Sequence, residues 1–295
     1  MVSKHIPVLL EEVIGFLRPR PGGIYVDGTL GGGGHAIKIL ERSSPTGLLI
    51  GIDRDKEAIE VAREKLKPYE ARTTLVYANF SNMKEILSEL NIDKVDGIVL
   101  DLGVSYLQLS DAKRGFSFQS DGPLDMRMDR TQGEPASKLI NTLPRWELEG
   151  ILRNYGEGRW ARRIAKAIVA HREKTPIRTA AHFRNIISSA IVKPTRRIHP
   201  ATKAFQAMRI AVNDELNNVK KGISSGIPSL KRGGRLCIIS FHSLEDRIVK
   251  ESFRQYEKSP SLITTVTKKP VLPSKRELSE NPRSRSAKLR VAEKV

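Results

Sequence analysis

Residues 27 to 35 read Asp-Gly-Thr-Leu-Gly-Gly-Gly-Gly-His directly after the apolar run Ile24-Tyr25-Val26, and Ile50-Gly-Ile-Asp-Arg-Asp55 follows one predicted helix later. A strand, a glycine loop, a helix and a second strand ending in an acid constrain the chain to a βαβ unit with a nucleotide-type ligand. Four contiguous glycines alone also make a ligand-free turn. Asp53, about twenty residues beyond the loop, is what favours a ligand, because an acid ending the second strand can bond both ribose hydroxyls. A pyrophosphate is cradled by G-x-G-x-x-G at a helix start. Here the glycines are contiguous and Asp27 heads the loop. Its carboxylate repels phosphate and can pair with the amino group of a methionine moiety, which favours S-adenosylmethionine over NAD.

The hydrophobic pattern alternates through the first third of the chain. Helical spacing over 8–17, 35–42, 56–67 and 83–90 is interleaved with apolar strands at 24–26, 48–52, 73–77 and 95–100. The alternation resumes with a helical stretch over 203–224, a Gly233-Gly234 turn, a strand over 235–241 and a helix over 243–256. Residues 113–200 read as helices and loops, among them 145–153 and 160–171. These patterns predict an α/β fold, a doubly wound and mostly parallel Rossmann-like sheet, interrupted by an all-helical insertion. The expected domains are 1–112 with 201–295 for the cofactor and 113–200 for the substrate. Residues 288–292 fit either a flexible tail or an edge strand.

Charge distinguishes the two parts. The chain carries a net +18, and residues 113–200 hold 18 Lys/Arg against 8 Asp/Glu, so the insertion supplies +10 of it. An excess of that size attracts a polyanion. The bland alternative is a solvated helical cap. Trp146, Tyr155 and Trp160 suit base stacking, although Trp at helical spacing is more often core. No apolar stretch of about eighteen residues and no signal pattern occur, so a soluble, cytoplasmic protein without a membrane partner is expected.

Cys237 is the lone cysteine and lies in the apolar run Leu236-Cys-Ile-Ile239. That excludes an internal disulfide and a thiolate-built zinc site, and it predicts a buried strand residue. Methylation at carbon 5 of a pyrimidine, which uses a cysteine nucleophile, is disfavoured accordingly. His242, Glu245 and Asp246 have spacing compatible with a metal, but Ser243 and Asp246 also fit a helix start. The expectation is a capping role and no metal.

Longer motifs run the length of the chain: His5-Ile-Pro-Val-Leu9, the two stretches quoted above, Asp101-Leu-Gly-Val-Ser105, Arg114-Gly-Phe-Ser-Phe118 and Asp121-Gly-Pro-Leu-Asp-Met-Arg-Met-Asp129. They continue with Tyr155-Gly-Glu-Gly-Arg159, His199-Pro-Ala-Thr202, Ser240-Phe-His-Ser-Leu-Glu-Asp-Arg247 and Asn281-Pro-Arg-Ser-Arg-Ser286. On these the chain resembles the bacterial family of 16S ribosomal RNA cytosine-N4 methyltransferases. Tyr106 and Ser110 depart from the family, which commonly has a second serine after Ser105 and an acid after Gln108-Leu109.

The resemblance implies methyl transfer from S-adenosylmethionine to the exocyclic N4 amine of a cytidine in the decoding region of the small subunit. It also implies cofactor contacts at Gly33, Gly34, His35, Asp53, Phe80, Asp101 and Gln108. Asp53 is read as the ribose ligand rather than a helix N-cap. Phe80 either covers the adenine or packs in the core, and His35 either caps the next helix or touches the cofactor. Asp101, ending the fourth strand, is the catalytic candidate. The N4 amine is a poor nucleophile, so a carboxylate or carbonyl in this loop should accept its hydrogen bonds as positive charge develops. The partner is the 16S RNA or the small subunit. The rival reading is a non-catalytic basic ribosome-assembly factor with a vestigial cofactor pocket.

Overall fold

A computed structural model of the chain describes residues 6–156, 158–191, 199, 201–259 and 261–295. His5, Glu157 and Pro200 of the quoted motifs lie outside the described residues. The chain forms two compact units, Met1–Gly103 with Leu216–Val295, and Val104–Glu215.

In the first unit, seven strands among the described residues form one sheet: β1 (Ile24–Asp27), β2 (Leu48–Asp53), β3 (Thr73–Tyr77), β4 (Val95–Asp101), β5 (Leu230–Ser240), β6 (Ile263–Thr265) and β7 (Lys288–Lys294). Their order is β3-β2-β1-β4-β5-β7-β6, parallel from β3 through β5, with β7 antiparallel to both of its neighbours. The tail strand is therefore internal to the sheet, and the three-residue β6 forms the edge.

Both faces are buried, as a parallel sheet requires. Along β4, Val99 packs with Leu17, Ile39, Leu40 and Ile59 from α1 (Leu10–Leu17), α2 (Gly34–Arg42) and α3 (Lys56–Leu66). Ile98 and Leu100 point the other way, toward Met83, Ile86, Val219, Ile223 and Phe253. Each such side chain contributes about 1.5–3 kcal/mol by leaving water. Strand order reverses between β1 and β4, and in open α/β sheets ligands collect beyond the carboxyl ends of the strands at such a point.

Between α4 (Met83–Glu89) and α11 (Glu215–Ser229), the chain builds the helical unit from α5 (Tyr106–Ser110), α6 (Ala136–Thr142), α7 (Arg145–Tyr155), α8 (Ala161–Arg172), α9 (Ala180–Ala190) and α10 (Ala201–Asn213). Afterwards α12 (Ser243–Lys258) and α13 (Lys275–Glu280) complete the sheet unit. The helical unit has its own core, with Leu148, Leu152, Ile164, Ile168, Phe183, Phe205 and Met208 at its centre.

Its boundaries differ from the expected 113 and 200. Val104 and Leu109 pack on this helical core, and so do Phe205 and Met208 of α10. The single helix expected over 203–224 breaks at Asp214, whose φ is 49°. Its first half serves the helical core, while Val219, Ile223 and Ile227 of α11 serve the sheet.

The motif Asp121–Asp129 is a structured loop. Asn213 donates from Nδ2 to Met126 O (2.7 Å) and accepts the Met128 N–H at Oδ1 (2.8 Å). The buried Arg114 donates from Nη2 to Met128 O (2.9 Å). Met126 sits at φ 62°, so these bonds hold a backbone conformation that a residue with a Cβ disfavours.

Candidate cofactor and catalytic site

The glycine loop lies across the ends of the first strands. Gly28 N–H donates to Val99 O (2.9 Å), Leu30 N–H to Ile52 O (3.0 Å) and Gly31 N–H to Asp53 Oδ2 (2.7 Å). Gly33, at φ 77°, occupies the N-cap position of α2, which has no side-chain cap. Gly34 is glycine for a different reason. A Cβ there would stand 2.3 Å from Pro7 Cγ, so the chain's own N-terminal segment fills the space. The buried His35 is not the N-cap of α2, which is Gly33. Its Nε2 bonds Val8 O at 3.0 Å and ties the helix to that same segment.

Asp53 ends β2 and accepts two backbone N–H groups, from Gly31 and from Asp55 (2.9 Å). The N-cap of α3 is Asp55, whose carboxylate accepts the Glu57 N–H, so Asp53 is not spent on capping. Burial raises its pKa to about 6 against the pull of those N–H donors. Asp27, fully buried at the end of β1, is raised to about 7, chiefly by desolvation and further by the charge of Asp53.

Asp101 ends β4, and its backbone N–H donates to Thr29 Oγ1 at 2.6 Å. Its Oδ1 is shielded from solvent and has no hydrogen-bond partner among the described residues. Desolvation, followed by the charges of Asp27, Glu245 and Glu277, holds its carboxyl well above the usual range. Three acids thus act on Asp101 at the carboxyl end of the sheet, an arrangement that favours a cationic ligand.

Phe80 opens a short 3₁₀ turn in which Asn79 accepts the Ser81 N–H. A Cβ on Gly28 would lie 3.2 Å from Phe80 Cβ, and one on Gly222 only 2.5 Å from the ring, so both glycines make room for this half-buried side chain. Gln108 belongs to the helical unit. It forms a capping box at the start of α5, its Oε1 accepting the Ser105 N–H (3.1 Å) while its own N–H donates to Ser105 Oγ (3.2 Å). The sheet unit therefore gathers Gly33, Asp53, Phe80 and Asp101 around the loop, and Gly34 and His35, which follow Gly33 at the start of α2, also meet the N-terminal segment.

Sequence reasoning missed Thr29 and Glu277, and it placed Glu245 at a helix start without linking it to Asp101. Thr29 is visible only as part of the loop motif. Glu245 serves a capping box whose N-cap is His242, in place of the expected Ser243 and Asp246 arrangement. Asp246 instead pairs with Arg290 (2.6 Å) and Lys288 (3.4 Å) of β7. Glu277 accepts the Leu9 N–H at 2.8 Å, and Asn281 donates to Ile6 O at 3.1 Å, so the C-terminal motif braces the N-terminal one. Cys237 is buried, and desolvation pushes its thiol up to about 12. It does not serve as a nucleophile at neutral pH.

Comparison with known proteins agrees along the whole length. The protein named ribosomal RNA small subunit methyltransferase H from Geotalea uraniireducens is 53% identical over 307 residues, covering 99% of this chain and 98% of its own. The protein of that name from Caldicellulosiruptor saccharolyticus is 48% identical over 306 residues, covering 99% of each. Among solved structures, a SAM-dependent O-methyltransferase of Thermotoga maritima overlaps at a TM-score of 0.46 and 10% identity, covering 100% of this chain and 68% of that one. The family model described as the MraW methylase family matches residues 2–295, and the chain belongs to that family.

Proposed function

We propose that the protein transfers the methyl group of S-adenosylmethionine to the N4 amine of a cytidine in the decoding region of 16S ribosomal RNA, acting in the cytoplasm on the RNA or the small subunit. The observation that carries this reading is Asp101 Oδ1, a shielded carboxylate oxygen at the carboxyl end of β4 with no donor among the described residues. Such an oxygen is poised to accept an N–H from a bound group, because an unanswered buried acceptor costs about 1–3 kcal/mol until a donor arrives.

The cofactor, when bound, supplies an electrophilic methyl on a sulfonium cation. The chain's own residues do the rest. Asp53 holds the ribose hydroxyls, and the glycine loop admits the methionine portion beside Asp27. Asp101 would orient the amine toward the methyl carbon and stabilise the positive charge that grows on nitrogen as the sulfur–methyl bond breaks and a neutral thioether is left. The proton then leaves to water. Residues of the helical unit, with its net positive charge, hold the RNA.

The test is radiolabelled methyl transfer to purified small subunits and to naked 16S RNA, with nucleoside digestion and mass spectrometry. N4-methylcytidine is expected, and Asp101→Asn should lower kcat about 100-fold or more while cofactor affinity changes far less. Cofactor and RNA binding with no transfer to either substrate would overturn the reading in favour of a passive assembly factor.

A further inference from the structure

At the end of the sheet unit opposite the glycine loop lies a concavity of about 280 Å³, lined among others by Arg18, Arg20, Arg232, Arg235, Asp96 and Glu293. Asp96 is the second residue of β4 and Asp101 the last, so about 17 Å of strand separates this pocket from the catalytic end. The chain shapes it with two turns. Arg18 follows α1 at φ 51°, and β5 bulges through Gly233 at φ 78°, where its register against β4 shifts between Val95 and Gly97.

The charges do not balance. Asp96 is answered by Arg20 (3.1 Å) and Lys231 (2.7 Å) as well as by the Ile24 N–H (2.9 Å). Glu293 is answered by Arg235 (2.8 Å), whose Nη1 is anchored on Phe16 O (2.7 Å). Arg18 and Arg232 make no side-chain hydrogen bond or ion pair with any described residue. Four arginines thus line the pocket with two carboxylates, one of which is also answered by Lys231 from outside the lining. The carboxylates fix the guanidinium groups of Arg20 and Arg235, and those of Arg18 and Arg232 are left uncommitted. The Tyr25 hydroxyl also lines the pocket. It accepts the Arg20 N–H at 2.8 Å, and its own proton has no acceptor among the described residues.

We propose that this pocket is a phosphate-binding site, engaged by a phosphate group of either a free nucleotide or a nucleic-acid backbone. Guanidinium groups match phosphate oxygens in bidentate pairs, and a surplus of two positive charges among the lining side chains suits an anion with several oxygens better than a single carboxylate. The site is independent of the methyl-transfer centre, and its test does not depend on that activity.

The full-length protein would be titrated calorimetrically with pyrophosphate, with a nucleoside 5′-monophosphate and with a ten-nucleotide RNA lacking terminal phosphates. Three forms would be compared: wild type, Arg18→Ala/Arg232→Ala, and Lys56→Ala/Lys67→Ala, the last removing the same charge from exposed positions elsewhere. S-adenosylhomocysteine binding would verify that each form is folded. The arginine pair should weaken phosphate binding about tenfold and the lysine pair less than twofold. A loss seen with pyrophosphate or the monophosphate assigns the site to free nucleotides, and a loss confined to the RNA assigns it to the backbone. Equal effects of the two pairs, or no binding that the arginine pair weakens, would overturn the proposal.

Discussion

At the residue scale, the loop's hold on Asp53 decides what its loss would do. Asp53→Ala removes both the proposed ribose ligand and the acceptor for the Gly31 and Asp55 N–H groups. Affinity for S-adenosylhomocysteine, followed by calorimetry, should fall more than tenfold, with about 1–3 kcal/mol of stability lost as well. Protonation gives a second test. Asp27 and Asp53 titrate at about 7 and 6 in the folded state, both above the 3.8 of an exposed carboxyl. Between pH 4 and 7 the folded chain keeps protons that the unfolded chain has released. Their stabilising contribution is therefore full below about pH 4 and is lost as pH rises through 6 and 7. The melting temperature of the ligand-free protein should accordingly decline from pH 5 to 7.5. Asp27→Asn should flatten that decline, and a parallel slope in wild type and variant would refute the assignment. Bound cofactor, carrying positive charge, should reverse the trend, so its affinity should rise over the same window.

At the element scale, the loop over 121–129 is held by Arg114 and by one side chain of α10, Asn213. Asn213→Ala leaves Met126 O and the Met128 N–H without their buried partner and releases a strained backbone. Urea unfolding should show a loss of about 2–4 kcal/mol, larger than an ordinary polar deletion. Elements with strong periodicity are legible in the sequence. Thr73–Tyr77 is a strand as expected, and the glycine loop joins β1 to α2 where its motif predicts. The break at Asp214 is not legible there, because both flanking segments have helical spacing and only their different cores separate them. A strand as short as Ile263–Thr265 carries no pattern of its own. In the candidate site, Asp53 and Asp101 announce themselves by ending apolar strands. Glu245 and Glu277 do not, since their influence on Asp101 arises from packing between segments far apart in sequence.

At the scale of the whole molecule, the two units divide the electrostatics. The sheet unit gathers buried acids at the carboxyl end of its strands, whereas the expected insertion, residues 113–200, carries more than half of the net charge. RNA affinity should therefore fall steeply with salt. A filter-binding series is expected to give a slope of log Kobs against log salt of about −4 or steeper, and a slope near zero would remove the helical unit from the RNA interface. Cofactor affinity should depend on salt far less, because its partners are buried.

The internal position of β7 bears on how the sheet is completed. Lys288–Lys294 is made after every other strand, yet it separates β5 from β6 and places Arg290 on Asp246. During synthesis the β5 edge stays open until these residues emerge, although the parallel strands that carry the glycine loop are already available to pair. An exposed apolar edge such as Leu236-Cys-Ile-Ile239 is a template for pairing with another chain. Nascent chains halted before residue 288 are thus the form of this protein most exposed to misassociation, and the arrival of one seven-residue strand ends that exposure.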